Sequence, residues 1–276
     1  MIEIDIKDII KTIGSLPPLP QISIKLIQML NNPDTKVGDL VELIKMEQAL
    51  TVDILKIVNS PYYGLRKEVI SIRQAVNYLG FVNLKSLIIA LSTKKFMQKG
   101  DKYDILLWRH SVSVALISKI ITEKLNIYNA EEMFVAGLLH DIGKVVLNKN
   151  IPDTYKPIMD EVMMTGISFE EIEKKVLGFT HAAVGLFLVQ EWNLGERLKN
   201  VVFYHHNPPL ASEFIQETAV VNLADKLSNY NGFGFYKNFD ISPETPALNI
   251  LNISKDQLIR INDENIDKIK EEMEVF

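Results

Sequence analysis

The sequence has no cysteine among its 276 residues, so it can form no disulfide and offers no thiolate to a metal. It also lacks an excess of positive charge, since 35 acidic side chains outnumber 30 lysines and arginines and leave a net charge of −5. A general nucleic-acid-binding protein usually presents a basic face, and this composition gives no clear support for one. The absence of cysteine fits a protein of the reducing cytoplasm.

Long apolar runs are missing as well. Leu84–Leu91 is among the longest, and it is far shorter than the roughly 20 residues that a membrane-spanning helix needs. The opening segment Met1–Asp8 is acidic and alternates in polarity, which is not typical of a signal peptide. The sequence therefore predicts a cytoplasmic protein with no membrane partner.

Apolar residues recur at helical spacing in nearly every segment, and strand signals are scarce. The stripe from Ile22 to Leu30, for example, stops at Asn31-Asn-Pro33, where proline ends a helix. The short polar break Lys99-Gly100-Asp101 separates two helical groups. We predict an all-α protein with two helical lobes, residues 1–100 and residues 101–276.

All five histidines of the chain, together with two aspartates, follow one another in an order typical of metal ligands. They are His110, the pair His140-Asp141, His181, the pair His205-His206, and Asp225. Imidazole and carboxylate hold borderline and hard divalent metals, so the series predicts a metal site. The alternative is that each is an ordinary surface or hydrogen-bonded core histidine, as single helical histidines more often are.

Helix geometry restricts how these side chains can meet. Neighbouring residues on a helix point about 100° apart, so an adjacent pair converges on one site more easily at a helix end. His140-Asp141 precedes Ile-Gly, and His205-His206 precedes Asn-Pro-Pro, so both pairs are predicted at helix ends. His181 follows the capping residue Thr180. Helix ends and helix sides could thus surround one cavity in the second lobe.

Several motifs resemble a known family. The segment Ala136-Gly-Leu-Leu-His-Asp-Ile-Gly-Lys144 is similar to the central motif of the HD superfamily of metal-dependent phosphohydrolases. Leu16-Pro-Pro-Leu-Pro20, Val58–Gly64 and Ser71–Gly80 together resemble the HDOD domain, an HD-related output domain of bacterial signalling proteins. The resemblance covers residues 10–230.

The resemblance implies a ligand set for one or two divalent ions, with iron, manganese, zinc and nickel all compatible with the donors. One ion would be held by His110, His140, Asp141 and Asp225. Asp141 would bridge to a second ion held by His181, His205 and His206.

The resemblance also implies hydrolysis of a phosphoester or nucleotide, with Asp141 and Lys144 as the catalytic residues. Lys144 resembles the lysine that faces a substrate phosphate; alternatively, it is a solvated charge at a helix start. A catalytic site needs an open cavity, which we expect beside His140, Asp141 and Lys144.

Two departures narrow the expected chemistry. The Gly-Tyr-Pro signature of relatives that hydrolyse cyclic-di-GMP is missing after His206, and Leu106 stands where some of them carry a further acidic ligand. A third metal and cyclic-di-GMP hydrolysis are therefore not implied. Because many HDOD domains lack much of the ligand set, a second hypothesis is a regulatory scaffold or ligand sensor with a structural metal and a signalling protein as partner. The sequence does not indicate an oligomeric state.

Overall fold

The computed structural model describes residues 6–97, 100–236, 240–242 and 244–276, and the regular elements within these ranges are helical. The predicted all-α class is confirmed. The helices before residue 98 are α1 (Ile6–Ile13), α2 (Gln21–Asn31), α3 (Val37–Lys45), α4 (Gln48–Val58) and α5 (Ile72–Met97). Those from residue 102 to residue 191 are α6 (Lys102–Leu125), α7 (Ala130–Leu139), α8 (Ile142–Asn150), α9 (Pro152–Thr165), α10 (Phe169–Leu177) and α11 (His181–Glu191). The last are α12 (Glu196–Tyr204), α13 (Ile215–Tyr230), α14 (Pro246–Ile250), α15 (Lys255–Asp263) and α16 (Ile266–Met273).

The chain divides into two compact units. The first unit comprises Met1–Pro18 and Met97–Ile266, and the second comprises Leu19–Phe96 and Asp267–Phe276. The junction at residues 96–97 lies close to the break expected at residues 99–101, of which Lys99 is outside the described residues. The units differ from the expected ranges 1–100 and 101–276 at both chain ends. Met1–Pro18 belongs to the unit that contains Met97–Ile266, and Asp267–Phe276 belongs to the unit that contains Leu19–Phe96.

Specific contacts explain the exchange of the chain ends. The Asn150 side chain donates to the backbone carbonyls of Ile13 and Ser15 at 2.8 and 2.7 Å, so the start of the chain belongs with α8. The Trp192 indole also donates to the Pro17 carbonyl at 2.8 Å. In the second unit the Phe276 ring packs edge-on against Tyr62, with ring centroids 5.4 Å apart. These contacts join residues far apart in sequence, which periodicity alone cannot reveal.

The first unit is built around α6, which packs against α7 and α13, while α11 packs against α8 and α12. Side-chain caps fix where three of these helices begin. Asp101 accepts from two backbone amides at the start of α6, Asn129 accepts from one in α7, and Thr180 from one in α11. These caps satisfy backbone amides that lack a partner within the helix, so they stabilise the residue at which each helix begins. The starting residue in turn determines the direction in which each histidine of the helix points.

The second unit packs apolar side chains from α2 to α5, and Leu26, Leu40 and Ile54 are fully buried in it. Its longest helix, α5, bends at Gly80, whose φ of 70° and ψ of 175° interrupt the helical backbone. A residue with a side chain rarely adopts this φ, so glycine suits the bend.

Two helical segments, Ile72–Lys94 and Lys102–Leu125, are long and apolar enough to cross a membrane by length and composition alone. The prediction that the apolar stretches of this chain are too short to span a membrane is therefore wrong. Their most apolar windows are 61% and 78% buried within the protein, as the core helices of globular domains also are.

Candidate metal centre

All seven predicted ligands come together in the first unit, where they form two groups. The first ligand group consists of His110, His140 and Asp225, and the second ligand group consists of Asp141, His181, His205 and His206. Within each group, one potential ligand atom per residue lies within 4.8 Å of every other. The side chains reach this site as the sequence predicted, with His140 and Asp141 in the turn between α7 and α8, His205 just after α12, and His181 opening α11.

Asp141 lies between the two groups and offers one oxygen to each. Its Oδ2 lies 3.5 Å from His110 Nε2 and 3.3 Å from His140 Nε2. Its Oδ1 lies 3.2 Å from His181 Nε2 and 3.5 Å from His205 Nε2. The family resemblance implied that Asp141 bridges two ions, and this role stays a prediction.

Hydrogen bonds behind the rings show which nitrogen carries the proton in His140 and His205. His140 Nδ1 lies 2.7 Å from the Gly137 carbonyl, and His205 Nδ1 lies 2.8 Å from the Val202 carbonyl. Because a carbonyl only accepts, each Nδ1 must donate. In the neutral ring, Nε2 then carries a lone pair directed at Asp141.

His110 also carries its proton on Nδ1, as its contacts with two serines show. Ser113 Oγ donates to the His110 carbonyl at 2.8 Å and lies 2.5 Å from Ser228 Oγ. Because Ser113 has one hydroxyl proton, Ser228 must donate to Ser113, and it can therefore only accept from His110 Nδ1 at 2.9 Å. The lone pair of His110 Nε2 then faces Asp225 Oδ1 at 3.1 Å.

His181 is held by a carboxylate. Its Nδ1 donates to Glu173 Oε2 at 2.7 Å, which leaves Nε2 as an acceptor in the neutral ring. The Nε2 atoms of His181 and His206 lie 3.0 Å apart. Two nitrogen lone pairs at that distance repel each other unless a proton or another cation lies between them.

The donor set therefore fits a divalent cation. Three buried atoms that face the site have no hydrogen-bond partner within the described part of the chain, namely His140 Nε2, His205 Nε2 and Asp141 Oδ1. Buried polar atoms without partners are rare and costly. Imidazole nitrogens and carboxylate oxygens that converge in this way are the ligands of zinc, iron, manganese and nickel.

The electrostatics of the cluster keep its carboxylates ionised. Burial acts to raise the pKa of Asp141, but neighbouring His140 and Lys144 hold that pKa well below its usual range. The pKa of Asp225 is likewise lowered, because its contact with His110 outweighs burial. Burial acts to lower the pKa of His181, yet the Glu173 carboxylate raises it to about 9. The cluster thus attracts cations, whether protons or metal ions.

Lys144 is buried, with 4% of its surface exposed. Its Nζ donates to Asp141 Oδ2 at 2.6 Å and lies 4.0 Å from the centre of the Phe169 ring. Burial acts to lower the pKa of Lys144, but the nearby charges of Asp141 and Asp225 raise it, so the ammonium persists. The alternative of a solvated lysine at a helix start is therefore wrong.

A cavity of about 970 Å³ opens beside the site. His206 and Asp225 line it, one from each ligand group, and Phe169, Lys226 and Tyr236 contribute to its walls. The expected cavity beside His140, Asp141 and Lys144 is thus displaced, since none of these three lines it. All three are buried, His140 and Asp141 in the turn between α7 and α8 and Lys144 in the first turn of α8.

Residues that support the ligands were not predicted from the sequence. Glu173 and Tyr155 lie behind His181, Ser228 lies behind His110, and Asn229 donates to Asp225 Oδ1 at 2.9 Å. One signal was available for Glu173. It follows Phe169 by four residues in α10, so the helical period places a carboxylate on the buried face of that helix.

Comparisons with known proteins agree with this fold. The chain matches the HDOD domain family over residues 16–208. An uncharacterized protein of Treponema pallidum (strain Nichols) is 28% identical over 205 residues, which are 73% of this chain but 39% of that protein. The chain therefore spans well under two thirds of that relative's length.

Solved structures show the same architecture. A crystal structure of an HDOD domain protein of unknown function from Geobacter sulfurreducens is 26% identical, with a TM-score of 0.85 over 98% of this chain and 96% of that chain. A crystal structure from Shewanella amazonensis SB2B, described as a "putative phosphohydrolase", is 22% identical, with a TM-score of 0.76 over 97% and 96% of the two chains. At 22% identity the likeness concerns the fold alone.

Proposed function

This chain belongs to the HDOD domain family, and on that premise we propose that it is a metal-dependent phosphohydrolase of bacterial signalling that acts on a phosphoester or nucleotide. One observation carries the proposal. The Nε2 atoms of His110, His140, His181 and His205 converge on the two oxygens of the buried Asp141 carboxylate. Because membership in a fold family does not establish an activity, the proposal rests on this site.

The seven ligands divide between two ions in the proposed site. The first ligand group and Asp141 Oδ2 would hold one ion, and the second ligand group with Asp141 Oδ1 would hold the other. Bound divalent ions supply Lewis acidity, which activates a water molecule and neutralises charge on phosphate oxygens.

The protein's own side chains supply binding and orientation. His206 and Asp225 lie at the cavity, so a substrate phosphate that enters it would meet both ligand groups. Phe169 and Tyr236 give the cavity aromatic surface, and Lys226 adds positive charge to its wall. The Lys144 ammonium balances the charge of Asp141 and fixes the position of its Oδ2 through a hydrogen bond. The cavity volume of about 970 Å³ is sufficient for a nucleotide-sized ligand.

The proposal is tested by metal analysis and a substrate screen. Protein purified without added metal should contain tightly bound divalent ions and should hydrolyse a generic phosphodiester or nucleotide. Asp141→Ala should abolish both properties, because Asp141 serves both groups. Lys144→Ala should reduce turnover by about 10- to 100-fold, as expected for a residue that orients a ligand. Lys119→Ala is the matched control, because Lys119 pairs with Glu131 away from the site and its loss should leave turnover unchanged.

A second candidate is a regulatory scaffold or ligand sensor whose metal is structural. Exposed apolar side chains of the second unit favour it, since Met46, Val52 and Ile70 are 77%, 62% and 73% exposed. A protein partner that covered these side chains would remove their apolar surface from water, which favours association. This candidate would prevail if metal-loaded protein hydrolysed nothing in a broad phosphoester screen while Asp141→Ala abolished binding to a signalling partner.

A further inference from the structure

Glu173 is a fully buried carboxylate that belongs to neither ligand group. Its Oε1 accepts from the Tyr155 hydroxyl at 2.6 Å. Its Oε2 accepts from the His181 backbone amide at 2.8 Å and from His181 Nδ1 at 2.7 Å. Within the described residues, the ion-pair partner of this carboxylate is His181. A buried charge without a lysine or arginine partner is costly, so its position calls for an explanation.

The acceptor behind His181 differs in kind from those behind the other histidines. His140 and His205 donate to backbone carbonyls, and His110 donates to the Ser228 hydroxyl. These acceptors are neutral, whereas Glu173 is charged. A carboxylate behind a metal-binding imidazole fixes the ring and makes the opposite nitrogen a stronger donor to a metal.

A purely structural role must be weighed beside this one. The Glu173 side chain extends from α10 to the N-terminus of α11, where its carboxylate accepts from the His181 backbone amide in a capping interaction. Thr180 already caps the same helix through the Ala183 amide. A cap needs an acceptor oxygen, and a neutral amide side chain can provide one. The negative charge is therefore the property that separates the two roles.

We infer that Glu173 is a positioning residue, whose carboxylate keeps the His181 proton on Nδ1 and aims Nε2 at Asp141, so that the second ligand group binds its ion more tightly than neutral support would allow. This inference rests on the proposed function, because it assumes an ion at that group. It concerns His181 alone among the histidines.

The test uses Glu173→Gln, which keeps the size and an acceptor oxygen but removes the charge. Calorimetric titration of chelator-treated full-length protein with zinc should show binding at the second ligand group weakened by about 10- to 100-fold, with binding at the first group unchanged. Tyr155→Phe is the matched control, because it removes the hydrogen bond to Oε1 and leaves both contacts to His181. Its zinc affinity should remain near the wild-type value.

Nitrogen NMR of the histidine side chains provides a second readout, recorded on the ion-free protein at a pH above the raised pKa of His181, so that the ring carries a single proton. The wild-type protein should show His181 protonated at Nδ1 with a strongly downfield proton, and Glu173→Gln should move that proton upfield. If the wild-type His181 carried its proton on Nε2, or if Glu173→Gln bound zinc as the wild type does and only melted at a lower temperature, the inference would be overturned in favour of a cap. If the wild type bound no ion at all, the proposed function would fail, and the His181 proton signal would still decide whether Glu173 holds that ring.

Discussion

The two ligand groups are alike where they meet the cavity and different behind it. Each places one member on the cavity wall, Asp225 from the first group and His206 from the second, and both share Asp141. The first group's imidazoles are held from behind by neutral acceptors, whereas the second group has Glu173 behind His181. Both groups therefore reach the cavity, but they are not equivalent as candidate metal sites.

The donor atoms sharpen this difference. With Asp141 included, the first group offers two imidazoles and two carboxylates, and the second offers three imidazoles and one carboxylate. Oxygen donors suit harder ions such as manganese, whereas imidazole suits zinc, iron and nickel. The fold thus places two donor sets of unlike composition side by side, and Asp141 contributes an oxygen to each.

The largest expected effect on stability and metal content comes from a side chain placed between α8 and α11, the helix that begins with His181. A Cβ on Gly143 would lie 1.9 Å from the His181 carbonyl oxygen and 2.9 Å from the Gly185 nitrogen, so α8 and α11 would have to separate. Gly143→Ala should lower the free energy of unfolding by about 3 kcal/mol and release the ion of the second group. Denaturant unfolding and elemental analysis measure these two effects.

The control for this substitution is Gly38→Ala in α3. The nearest atom to its Cβ would be Arg73 Nη2 at 4.0 Å, and alanine favours the helix, so stability should stay constant or rise by up to about 1 kcal/mol. Wild-type stability and metal content in Gly143→Ala would contradict the close approach of α8 to α11.

A smaller effect is expected from removing one cavity-facing ligand at a time. Asp225→Asn should release the ion of the first group, and His206→Gln should loosen that of the second, so each variant should keep the ion of the other group tightly bound. The ion that remains after Asp225→Asn should prefer zinc to manganese, because imidazole donors dominate its site. Elemental analysis after competition between the two metals measures this preference. Loss of both ions from either variant would show that the groups do not bind independently.

The ligands themselves could be predicted because histidine is rare in this chain, and because adjacent ligand pairs converge at helix ends. His140 follows the last residue of α7, and His205 follows the last residue of α12, so the helix-end prediction is confirmed for both pairs. The metal-binding roles of these residues stay predictions.

The support of the ligands could not be predicted in the same way. Glu173 is one of 35 acidic residues, and Ser228 contacts His110 across 118 positions of sequence. Frequency singles out neither residue, and helical spacing places Glu173 on a buried face without indicating that it contacts His181. The cavity was expected beside His140, Asp141 and Lys144, but His206 and Asp225 line it instead. Which ligands reach a cavity depends on tertiary packing, which local sequence patterns do not reveal.

The smallest expected effect tests the neutral support of the first group. Ser228 accepts from His110 Nδ1, and Ser228→Ala leaves that buried donor without its acceptor, at a cost in stability of about 1–3 kcal/mol. Metal affinity of the first group should fall by about tenfold, at the lower end of the range for such support, because a hydroxyl polarises the ring less than a carboxylate. Ser92→Ala provides the control, since Ser92 is also buried and hydrogen-bonded to a serine, Ser23, at 2.6 Å, but it lies in the second unit. The control should lose similar stability and no metal affinity. If Ser228→Ala bound both ions as the wild type does, the serine pair would contribute to folding alone, and the contrast between the two groups would then depend on Glu173.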